Sequence, residues 1–466
     1  MKWVEEELVY TDLGDQRLNR RLMTTVANLA AHPSASVPEA SGSWAATKGT
    51  YRLWDSDAPQ ATPEAFLFSH QQRTVERIVA AGDTLVLAVQ DTTDLVVGEV
   101  AGGGYLSWLK QRGLKMHTVL AVSPAGVPLG LLAQRVWVRP LADRGKAKTR
   151  AARPTAQKES QRWLDGFATA QALLLASVAT VVTVADREAD IYDLFAAPRQ
   201  PSAQLLIRAA QNRRVRQDNE ELGRLKAVLP TLPVGGSLTV EVPRQAQRPA
   251  RQAVLTLRWT TLTLLPPRAK AAQVEGERVQ VVWAYEAHPP LGQVPIDWLL
   301  LTTLPVDDGA QAAQCVHYYS LRWLVERFHF TLKSGCQVEA LQLESADRFM
   351  RALATYSLVA WRLLWLTYAA RQHPQQSCET VLTLTEWQVL AHHFEPARRK
   401  RQPPSLHQAV RWIAQLGGFL GRTADGEPGV KTIWRGLRRL ADMALGAQAQ
   451  AEREQSNSLN RPTRYG

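Results

Sequence analysis

Two continuous apolar runs, each followed directly by an aspartate, constrain the fold more than any other feature of the sequence. The segment LVLAVQ leads into Asp91, and the segment VVTVA leads into Asp186. Apolar runs of this length are typical of strands that are buried on both faces of a sheet. A carboxylate at the end of such a strand lies where α/β proteins commonly bind their ligands. The runs therefore predict an α/β core with two acidic side chains at strand ends.

A third acidic residue lies in a segment with helical periodicity, residues 319–333, which reads YSLRWLVERFHFTLK. Steps of three, four and seven separate its polar residues, which are Tyr319, Arg322, Glu326 and Lys333. One continuous helix would carry them all on one face, beside an apolar stripe. A solvated face with an ordinary ion pair between Arg322 and Glu326 would give the same pattern. Three carboxylates, on two strand ends and this helix, can instead hold two hard divalent cations such as Mg²⁺, which binds oxygen ligands.

These residues resemble the motifs of a known family. The spacing Tyr319-x2-Arg322-x3-Glu326-x6-Lys333 is similar to the Y-R-E-K signature of the insertion-sequence-four family of bacterial cut-and-paste DDE transposases. Two segments resemble the aspartate motifs of that family, in the same order: Asp91-Thr92-Thr93 and Asp186-Arg187-Glu188-Ala189-Asp190. Shorter segments also match it, namely Leu13-Gly14-Asp15, Tyr51-Arg52, Lys158-Glu159-Ser160 and Leu416-Gly417-Gly418-Phe419. The resemblance extends over nearly the whole chain.

The resemblance implies a DNA transposase whose catalytic and metal-binding residues are Asp91, Asp186 and Glu326. The three carboxylates are expected to bind two Mg²⁺ ions, for which Mn²⁺ can substitute; one ion activates the attacking water or 3′-hydroxyl and the other stabilises the leaving oxygen. The enzyme would bind double-stranded DNA at transposon ends and cut it by hydrolysis and hairpin formation. It would then join the 3′-hydroxyl to target DNA. The active species is expected to be a homodimer that holds two ends.

The same resemblance implies a set of DNA contacts: Tyr319, Arg322, Lys333, Arg208, Trp298, Trp323, Arg21 and Arg52. Arginine and lysine are suited to phosphate oxygens, since they offer a bidentate fork and a point charge. Trp298 is expected to be the main platform for a base taken out of the duplex, and Trp323 a second stacking residue. Core packing is the alternative for both tryptophans, and an ordinary basic surface is the alternative for Arg21 and Arg52.

Two other classes of function remain open on the sequence alone. A metal-dependent nuclease of the RNase H-like superfamily would hydrolyse DNA without joining it to a target. A non-catalytic DNA-binding protein, such as a transposition inhibitor, would bind ends without cutting them. The complete acidic triad and the intact N-terminal segment argue against the inhibitor.

The composition favours a polyanionic partner in a reducing compartment. Lys and Arg number 55 against 43 Asp and Glu, a formal net charge of +12, which favours nucleic acid over a membrane surface. The cysteines Cys315, Cys336 and Cys378 show no CxxC spacing, which argues against a zinc site and for the bacterial cytoplasm. The chain starts without a secretory signal pattern, and its most apolar segment, residues 356–370, is too short to span a bilayer. No membrane association is expected.

The pattern along the 466 residues divides into three predicted domains. Residues 1–70 are expected to form a helical DNA-binding domain, in which Asp12 or Asp15 caps a helix. Residues 71–372 are expected to form an RNase H-like mixed α/β sheet with a β-rich insertion at about 211–297. Residues 373–466 are expected to form a helical domain, which dimerises in the family. Its apolar stripe of Ile433, Leu437 and Leu440 is either core or a partner surface.

Overall fold

The centre of the molecule is a mixed sheet whose first five long strands follow the order of an RNase H fold. The computed structural model describes residues 2–97, 102–106, 111–144, 153–174, 176–218, 220–242, 250–268, 275–396 and 402–459. The first strands are β1 (Leu85–Val96), β2 (Gly104–Tyr105), β3 (Arg112–Val122), β4 (Pro128–Trp137), β5 (Thr180–Ala185) and β6 (Ala203–Arg208). Across the sheet the order is β4-β3-β1-β5-β6. Strands β1, β3 and β4 are antiparallel neighbours, whereas β5 and β6 run parallel to β1, which confirms the predicted fold class.

The β-rich insertion is present, but it extends the central sheet instead of standing apart from it. Its strands are β7 (Arg214–Gln217), β8 (Glu220–Arg224), β9 (Gly236–Val242), β10 (Arg251–Leu264) and β11 (Glu277–Tyr285), followed by β12 (Asp297–Thr302). Strand β12 returns between β6 and β11 and pairs with both. The sheet therefore continues as β6-β12-β11-β10-β7-β8, with β9 paired to β10. This pairing joins the insertion rigidly to the strands that carry the acidic residues.

Helices cover both faces of the sheet and form both ends of the chain. They are α1 (Lys2–Glu7), α2 (Gln16–Ala31), α3 (Val37–Ser41), α4 (Trp44–Trp54), α5 (Pro63–Ala81), α6 (Gln161–Leu174), α7 (Tyr192–Phe195), α8 (Leu225–Val228), α9 (Gly309–Ser320), α10 (Trp323–Phe330), α11 (Ala346–Gln372), α12 (Leu384–Phe394), α13 (Leu406–Leu416) and α14 (Val430–Leu459). Helix α6 packs on one face, whereas α9, α10 and the deeply buried α11 pack on the other. Asp15, one of the two predicted caps, accepts from the Arg17 N–H at the start of α2. Within the described residues, no helix is long and apolar enough to cross a membrane.

The prediction of one continuous helix over residues 319–333 is wrong. Helix α9 ends at Ser320 and α10 begins at Trp323. Between them the Arg322 N–H donates to the Tyr319 carbonyl at 3.0 Å, which is the tighter three-residue spacing of a 3₁₀ turn. After α10, Thr331–Gly335 widens into a π-helical turn. Because the backbone spacing changes twice, the four polar residues do not lie on one continuous helix, although Arg322 still contacts both Tyr319 and Glu326.

The C-terminal apolar stripe is core. Ile433 and Leu440 are fully buried in a cluster that α14 forms with α12, α13 and the end of α11, and Leu437 is partly buried against it. The helices α13 and α14 approach each other backbone to backbone: a Cβ atom on Gly417 would lie 1.8 Å from the Thr432 carbonyl oxygen. This approach gives a physical reason for glycine in the segment Leu416 to Phe419, since only a residue without a side chain fits there.

A buried charged network fixes α1 against α5, the helix that crosses residue 70 and leads into the sheet. Glu7 accepts from Arg77 Nη1 at 2.7 Å and from His70 Nδ1 at 2.5 Å. His70 Nε2 accepts the backbone N–H of Leu131 at 2.8 Å, so the ring is neutral with its proton on Nδ1. Burial alone would raise the pKa of Glu7, but Arg77 and His70 lower it to about 2. Burial lowers the pKa of His70.

Because the pKa values of Glu7 and His70 are both lowered, we expect the folded protein to lose stability in acid. The unfolded chain binds a proton at a histidine near pH 6.5 and at a glutamate near pH 4.5, whereas folded His70 and Glu7 resist protonation. The free energy of unfolding should therefore start to fall below about pH 6.5 and fall further between about pH 4.5 and pH 2. Urea unfolding at stepped pH measures this. The control is Glu64→Gln, because Glu64 is an exposed residue of α5, the helix that carries His70. This variant should show the same dependence of unfolding free energy on pH as the wild type. If Glu7→Gln also left that dependence unchanged, the assignment of the acid effect to Glu7 would be contradicted.

Candidate active site

The two aspartates lie side by side because of the register between β1 and β5. These strands are parallel, and their ladder runs from Leu85 opposite Thr180 to Val89 opposite Val184. The same offset, carried two residues further, aligns Asp91 with Asp186. Strand β1 itself continues to Val96 in partnership with β3, so Asp91 marks the end of the parallel pairing and not, as predicted, the end of its strand. Asp186 does follow the last residue of β5.

The electrostatics agree with this proximity. The pKa of Asp186 is raised, first by burial and then by the negative charge of Asp91, while Arg322 opposes the shift. Asp186 also accepts the backbone N–H of Glu188 at 2.9 Å. Two neighbouring carboxylates at the end of a parallel ladder create a negative electrostatic potential, and a bound cation would reduce their repulsion.

The third carboxylate, Glu326 on α10, is 53% exposed and makes an ion pair with Arg322. Burial by itself would lower the pKa of Arg322, but the negative charge of Glu326, with smaller contributions from Tyr319 and Asp91, raises it. The guanidinium of Arg322 therefore lies within electrostatic reach of Asp91, Asp186 and Glu326. Arg322 is one cation that offsets the negative charge of the acidic cluster, and Arg162 also acts on Asp186.

The donor set fits a hard divalent cation in kind, since three carboxylates offer only oxygen ligands. The arrangement is two plus one: Asp91 and Asp186 are neighbours, and Glu326 is paired with Arg322. Among the described residues, no three side chains of His, Cys, Asp or Glu already lie close enough together to hold a metal ion. A three-ligand site therefore requires Glu326 to move closer to the two aspartates.

Tyr319, Trp298 and Arg208 surround the same region from α9, β12 and β6. Tyr319 is buried, and its ring meets the half-buried Trp298 edge to face, with 5.2 Å between centroids. Arg322 lies 5.9 Å from the centroid of the Tyr319 ring. Arg208 donates to the Asp297 carbonyl at 2.8 Å, next to Trp298 in the chain. The structure therefore brings these predicted DNA contacts close to Arg322.

Two other predicted contacts have protein partners in this structure. The Lys333 ammonium contacts the Asp94 carbonyl and lies 3.6 Å from a Glu339 carboxylate oxygen. Trp323 is 40% exposed, and its ring meets Tyr368 edge to face at 5.9 Å. Both side chains remain partly accessible, and no contact among the described residues joins either of them to Asp91 or Asp186.

Arg21 and Arg52 lie on α2 and α4, which pack together at the N-terminal end. The Arg21 side chain crosses Gly49 of α4, where a Cβ atom would lie 3.9 Å from its Nε. Sequence reasoning missed Trp44, the first residue of α4, whose side chain is 79% exposed. The sequence signal for Trp44 was its position: it directly follows Ser43, the residue that caps α4, in a segment that is otherwise rich in small residues.

A second residue missed by sequence reasoning is His329, one turn after Glu326 on α10. It is buried, with Nδ1 3.6 Å from an Asp91 carboxylate oxygen and Nε2 3.1 Å from the Thr118 hydroxyl. Thr118 is the partner of Asp91 in the β1–β3 ladder, so His329 fixes α10 against the strand pair that carries Asp91. The three-residue step from Glu326 was the available signal, because it places both side chains on neighbouring parts of a helical face.

Asp190, the last residue of the second aspartate motif, anchors the segment that follows Asp186. Its side chain is fully buried and accepts the N–H groups of Ala210 and Gln211 at 2.7 and 2.6 Å. Arg213 donates to the same carboxylate at 2.6 Å. These bonds join the loop after β5 to the start of the insertion and limit the movement of Asp186.

A cleft of about 580 Å³ opens on the face of the sheet that α6 covers. Glu159 lies in its wall, where it accepts from Trp137 Nε1 at 3.0 Å and from Arg139 Nε at 2.5 Å. Arg153, Lys158 and Arg162 line it as well. The Lys158-Glu159-Ser160 motif therefore belongs to a cleft with several basic residues on the α6 side of the sheet. Residues 145–152, which include Lys146, Lys148 and Arg150, lie outside the described residues.

Three family models match consecutive parts of the chain. Residues 1–58 match the model described as Transposase DNA-binding, residues 157–362 match Transposase DDE domain, and residues 358–457 match Transposase Tn5 dimerisation domain. The second range contains Asp186 and Glu326, and Asp91 precedes it. Among solved structures, the chain is similar to the piggyBac transposase in a synaptic complex with hairpin DNA, seen by cryo-EM. Identity is 10%, the TM-score is 0.34, and the match covers 94% of this chain and 81% of that one.

Proposed function

Because the chain belongs to the DDE transposases of the insertion-sequence-four family, with the DNA-binding, catalytic and dimerisation domains of the Tn5 type, we propose that it cuts DNA at transposon ends and joins the new 3′ ends to a target. One observation carries the proposal: the β1–β5 register aligns Asp91 with Asp186, and the Arg322–Glu326 pair lies within electrostatic reach of both. The roles below are proposed for this chain's own residues.

Asp91, Asp186 and Glu326 are the proposed ligands of a pair of divalent cations, Mg²⁺ in the cell. Such ions, when bound, lower the pKa of the attacking water or hydroxyl and stabilise the charge on the leaving oxygen. The protein supplies the fixed register of the two aspartates and the rigid α10 that carries the third carboxylate. His329 and Asp190 hold these elements in place from two sides.

Arg322 is proposed to exchange partners when DNA binds. In the free protein its guanidinium pairs with Glu326. A phosphodiester offers two oxygens to the same planar fork, and such bidentate contacts are strong. A phosphate that takes Arg322 frees the Glu326 carboxylate to join the aspartates. DNA binding and cation binding are then coupled, because both are favoured when the Arg322–Glu326 pair separates.

Trp298 is proposed as the platform for a base displaced during hairpin formation. Its support is position: it is half-buried, it contacts Tyr319, and it lies on the face of the sheet that α9 and α10 cover. Stacking of a base on an aromatic ring contributes about 1–3 kcal/mol. Packing on Tyr319 remains the competing role, and the experiment below separates the two.

We expect Trp298→Ala to nick the first strand at near wild-type rate but to form hairpin about 10-fold more slowly or worse, because the displaced base loses its stacking partner. Fluorescence of 2-aminopurine at the DNA terminus should rise on binding the wild type and rise less with the variant. Trp283→Ala is the matched control, since β11 pairs Trp283 with Leu299 and so turns it to the opposite face. Equal slowing of nicking and hairpin formation would show that Trp298 is a packing residue.

The active species is proposed to be a homodimer on two DNA ends. The stripe of Ile433 and Leu440 is occupied within the protomer, so a partner must use other surface. A groove of about 600 Å³ between α12 and α14, lined in part by Val389, His392 and Met443, offers one. Leu445, which also lies on α14, is exposed as well.

A strand-transfer assay with pre-cut ends tests the proposal against a nuclease that only hydrolyses. Duplex ends with a free 3′-hydroxyl are incubated with the protein, Mg²⁺ and a supercoiled plasmid. A transposase joins the ends to the plasmid and leaves short gaps of constant length at the junctions. Nicking of the plasmid without joined product would favour the nuclease, and binding without either reaction would favour a transposition inhibitor.

A further inference from the structure

The parallel ladder between β1 and β5 ends two residues before the two aspartates, so something else must hold their separation. The last ladder pair is Val89 with Val184. Asp91 is secured toward β3, where it faces Thr118. Beyond the Val89–Val184 pair, no backbone ladder joins Asp91 to Asp186. A cross-link between the segments that follow them would fix their separation.

Arg162 makes such a cross-link from the opposite face of the sheet. It is the second residue of α6, and its side chain is almost completely buried. Its Nε donates to the Thr92 hydroxyl at 2.8 Å, and its Nη2 donates to a Glu188 carboxylate oxygen at 2.7 Å. Thr92 directly follows Asp91, and Glu188 lies two residues after Asp186. One guanidinium therefore joins the two chain segments that carry the aspartates.

The guanidinium is itself held rigidly. Its Nη1 donates to the carbonyl of Glu159 at 2.8 Å, and the rings of Trp163 and Trp137 lie 5.2 and 5.6 Å from its central carbon. A planar group with three fixed donors and two aromatic neighbours has little freedom to follow a moving partner. Its position therefore dictates where Thr92 and Glu188 lie, and not the reverse.

A directed chain of hydrogen bonds extends this control to both neighbours of Asp91. The Thr92 hydroxyl, which accepts from Arg162, donates to His117 Nδ1 at 2.9 Å, and His117 Nε2 donates to the Gln90 side-chain oxygen at 3.1 Å. Burial and the positive charge of Arg162 hold the pKa of His117 well below its usual range, which keeps the neutral ring that this chain of bonds requires. Gln90 and Thr92 are thus both pinned on the α6 face, and Asp91 between them is forced toward α10.

We propose that Arg162 is a positioning residue that sets the distance between Asp91 and Asp186 for divalent-cation binding, acting through Thr92 and Glu188. Its hydrogen bonds go to Thr92, Glu159 and Glu188 and not to either aspartate, while its charge acts on Asp186 at longer range, so it is not a catalytic residue. The inference rests on the proposed function, which assigns the cation to these carboxylates. Residues that orient metal ligands in this way typically change metal affinity by 10–100-fold when they are replaced.

Mn²⁺ binding, measured by the loss of the free-ion electron paramagnetic resonance signal, tests the proposal without any reaction. Titrations use the full chain, free and with a DNA duplex. The wild type should bind Mn²⁺ in a manner that Asp91→Asn abolishes. Arg162→Met should raise the Mn²⁺ concentration at half saturation by about 10-fold or more, and Arg162→Lys by less. Thr92→Val combined with Arg162→Met should add little to Arg162→Met alone, since both break one network.

Arg438→Met is the matched control, because Arg438 forms an exposed pair with Glu39 and contacts neither Thr92 nor Glu188. It should leave Mn²⁺ affinity and unfolding temperature unchanged. Where end DNA is cut, excess Mn²⁺ should restore the rate of Arg162→Met, which a general loss of structure would not allow. If Arg162→Met fails to fold, Glu188→Ala carries the test, since it removes the acceptor of the Arg162 bond at a side chain that is 64% exposed.

Folded Arg162→Met or Glu188→Ala with wild-type Mn²⁺ affinity would overturn the proposal, as would the absence of Asp91-dependent binding in the wild type. Failure of the proposed function looks different. In that case Mn²⁺ binds in an Asp91- and Arg162-dependent manner, but no DNA end is cut or joined.

Discussion

Replacing Glu326 with glutamine is expected to lower end cleavage at least about a thousandfold while specific end binding is retained. The substitution removes the charge of one proposed cation ligand and keeps the size of the side chain. Loss of such a ligand withdraws several kcal/mol of transition-state stabilisation, and about 4 kcal/mol corresponds to three orders of magnitude in rate. Asp91→Asn and Asp186→Asn should have effects of the same size. Gel-based cleavage and binding assays on the same end DNA measure the two quantities separately.

The matched control is Glu344→Gln, which alters an exposed glutamate that pairs with Arg348 far from the acidic cluster. It should cleave at the wild-type rate. Near-normal cleavage by Glu326→Gln would remove Glu326 from the triad, and loss of binding together with cleavage would indicate damage to the fold instead of to the chemistry. Because Arg322 loses its charged partner in Glu326→Gln, the DNA affinity of Glu326→Gln is expected to stay the same or to rise slightly.

The second large effect is expected from Gly436→Ala in the C-terminal domain. A Cβ atom at this position would lie 1.6 Å from the Ile413 carbonyl oxygen, so α13 and α14 must separate to admit it. Forcing extra atoms into a packed interface typically costs about 1–3 kcal/mol and more when the backbone must move. The unfolding temperature of the domain should fall by several degrees. Paired-end complexes should fall with it, because α14 forms most of one side of the proposed partner surface.

Gly446→Ala on the same helix is the control, since a Cβ atom there meets nothing within 4 Å. It should be neutral or stabilising by up to about 1 kcal/mol, because alanine is the better helix former. Differential scanning calorimetry gives the stability, and analytical ultracentrifugation with end DNA gives the complex. Equal unfolding temperatures for the two variants would contradict the close packing of α13 on α14.

The sheet was predictable because its strands carry continuous or alternating apolar residues whose period does not depend on distant contacts. The runs before Asp91 and Asp186 indicated buried strands, and both are there. What the runs do not encode is pairing: that β12 returns beside β6, and that the insertion therefore belongs to the central sheet, depends on contacts between residues about 90 apart in the chain. Which strands pair depends on tertiary contacts, whereas the apolar pattern of a single strand depends only on its local sequence.

The candidate site was predictable in its residues and less so in its geometry. Motif spacing selects Tyr319, Arg322 and Glu326, but a helical period assumes 3.6 residues per turn throughout. The tight turn at Arg322 and the π-helical turn at Thr331–Gly335 break that assumption. Arg162 had no local signal, because its function comes from partners that lie 70 residues earlier and 26 later. Such networks become visible only in three dimensions.

The most direct test of the account uses DNA duplexes that contain the sequences bordering the coding region at its native locus. The full chain is incubated with each duplex and Mg²⁺, and the new ends are mapped by sequencing. We expect a cut at one phosphodiester bond per candidate end, with a 3′-hydroxyl on the element side, in the wild type and not in Asp91→Asn. Intact duplexes, or scattered cuts that Asp91→Asn makes equally well, would contradict it.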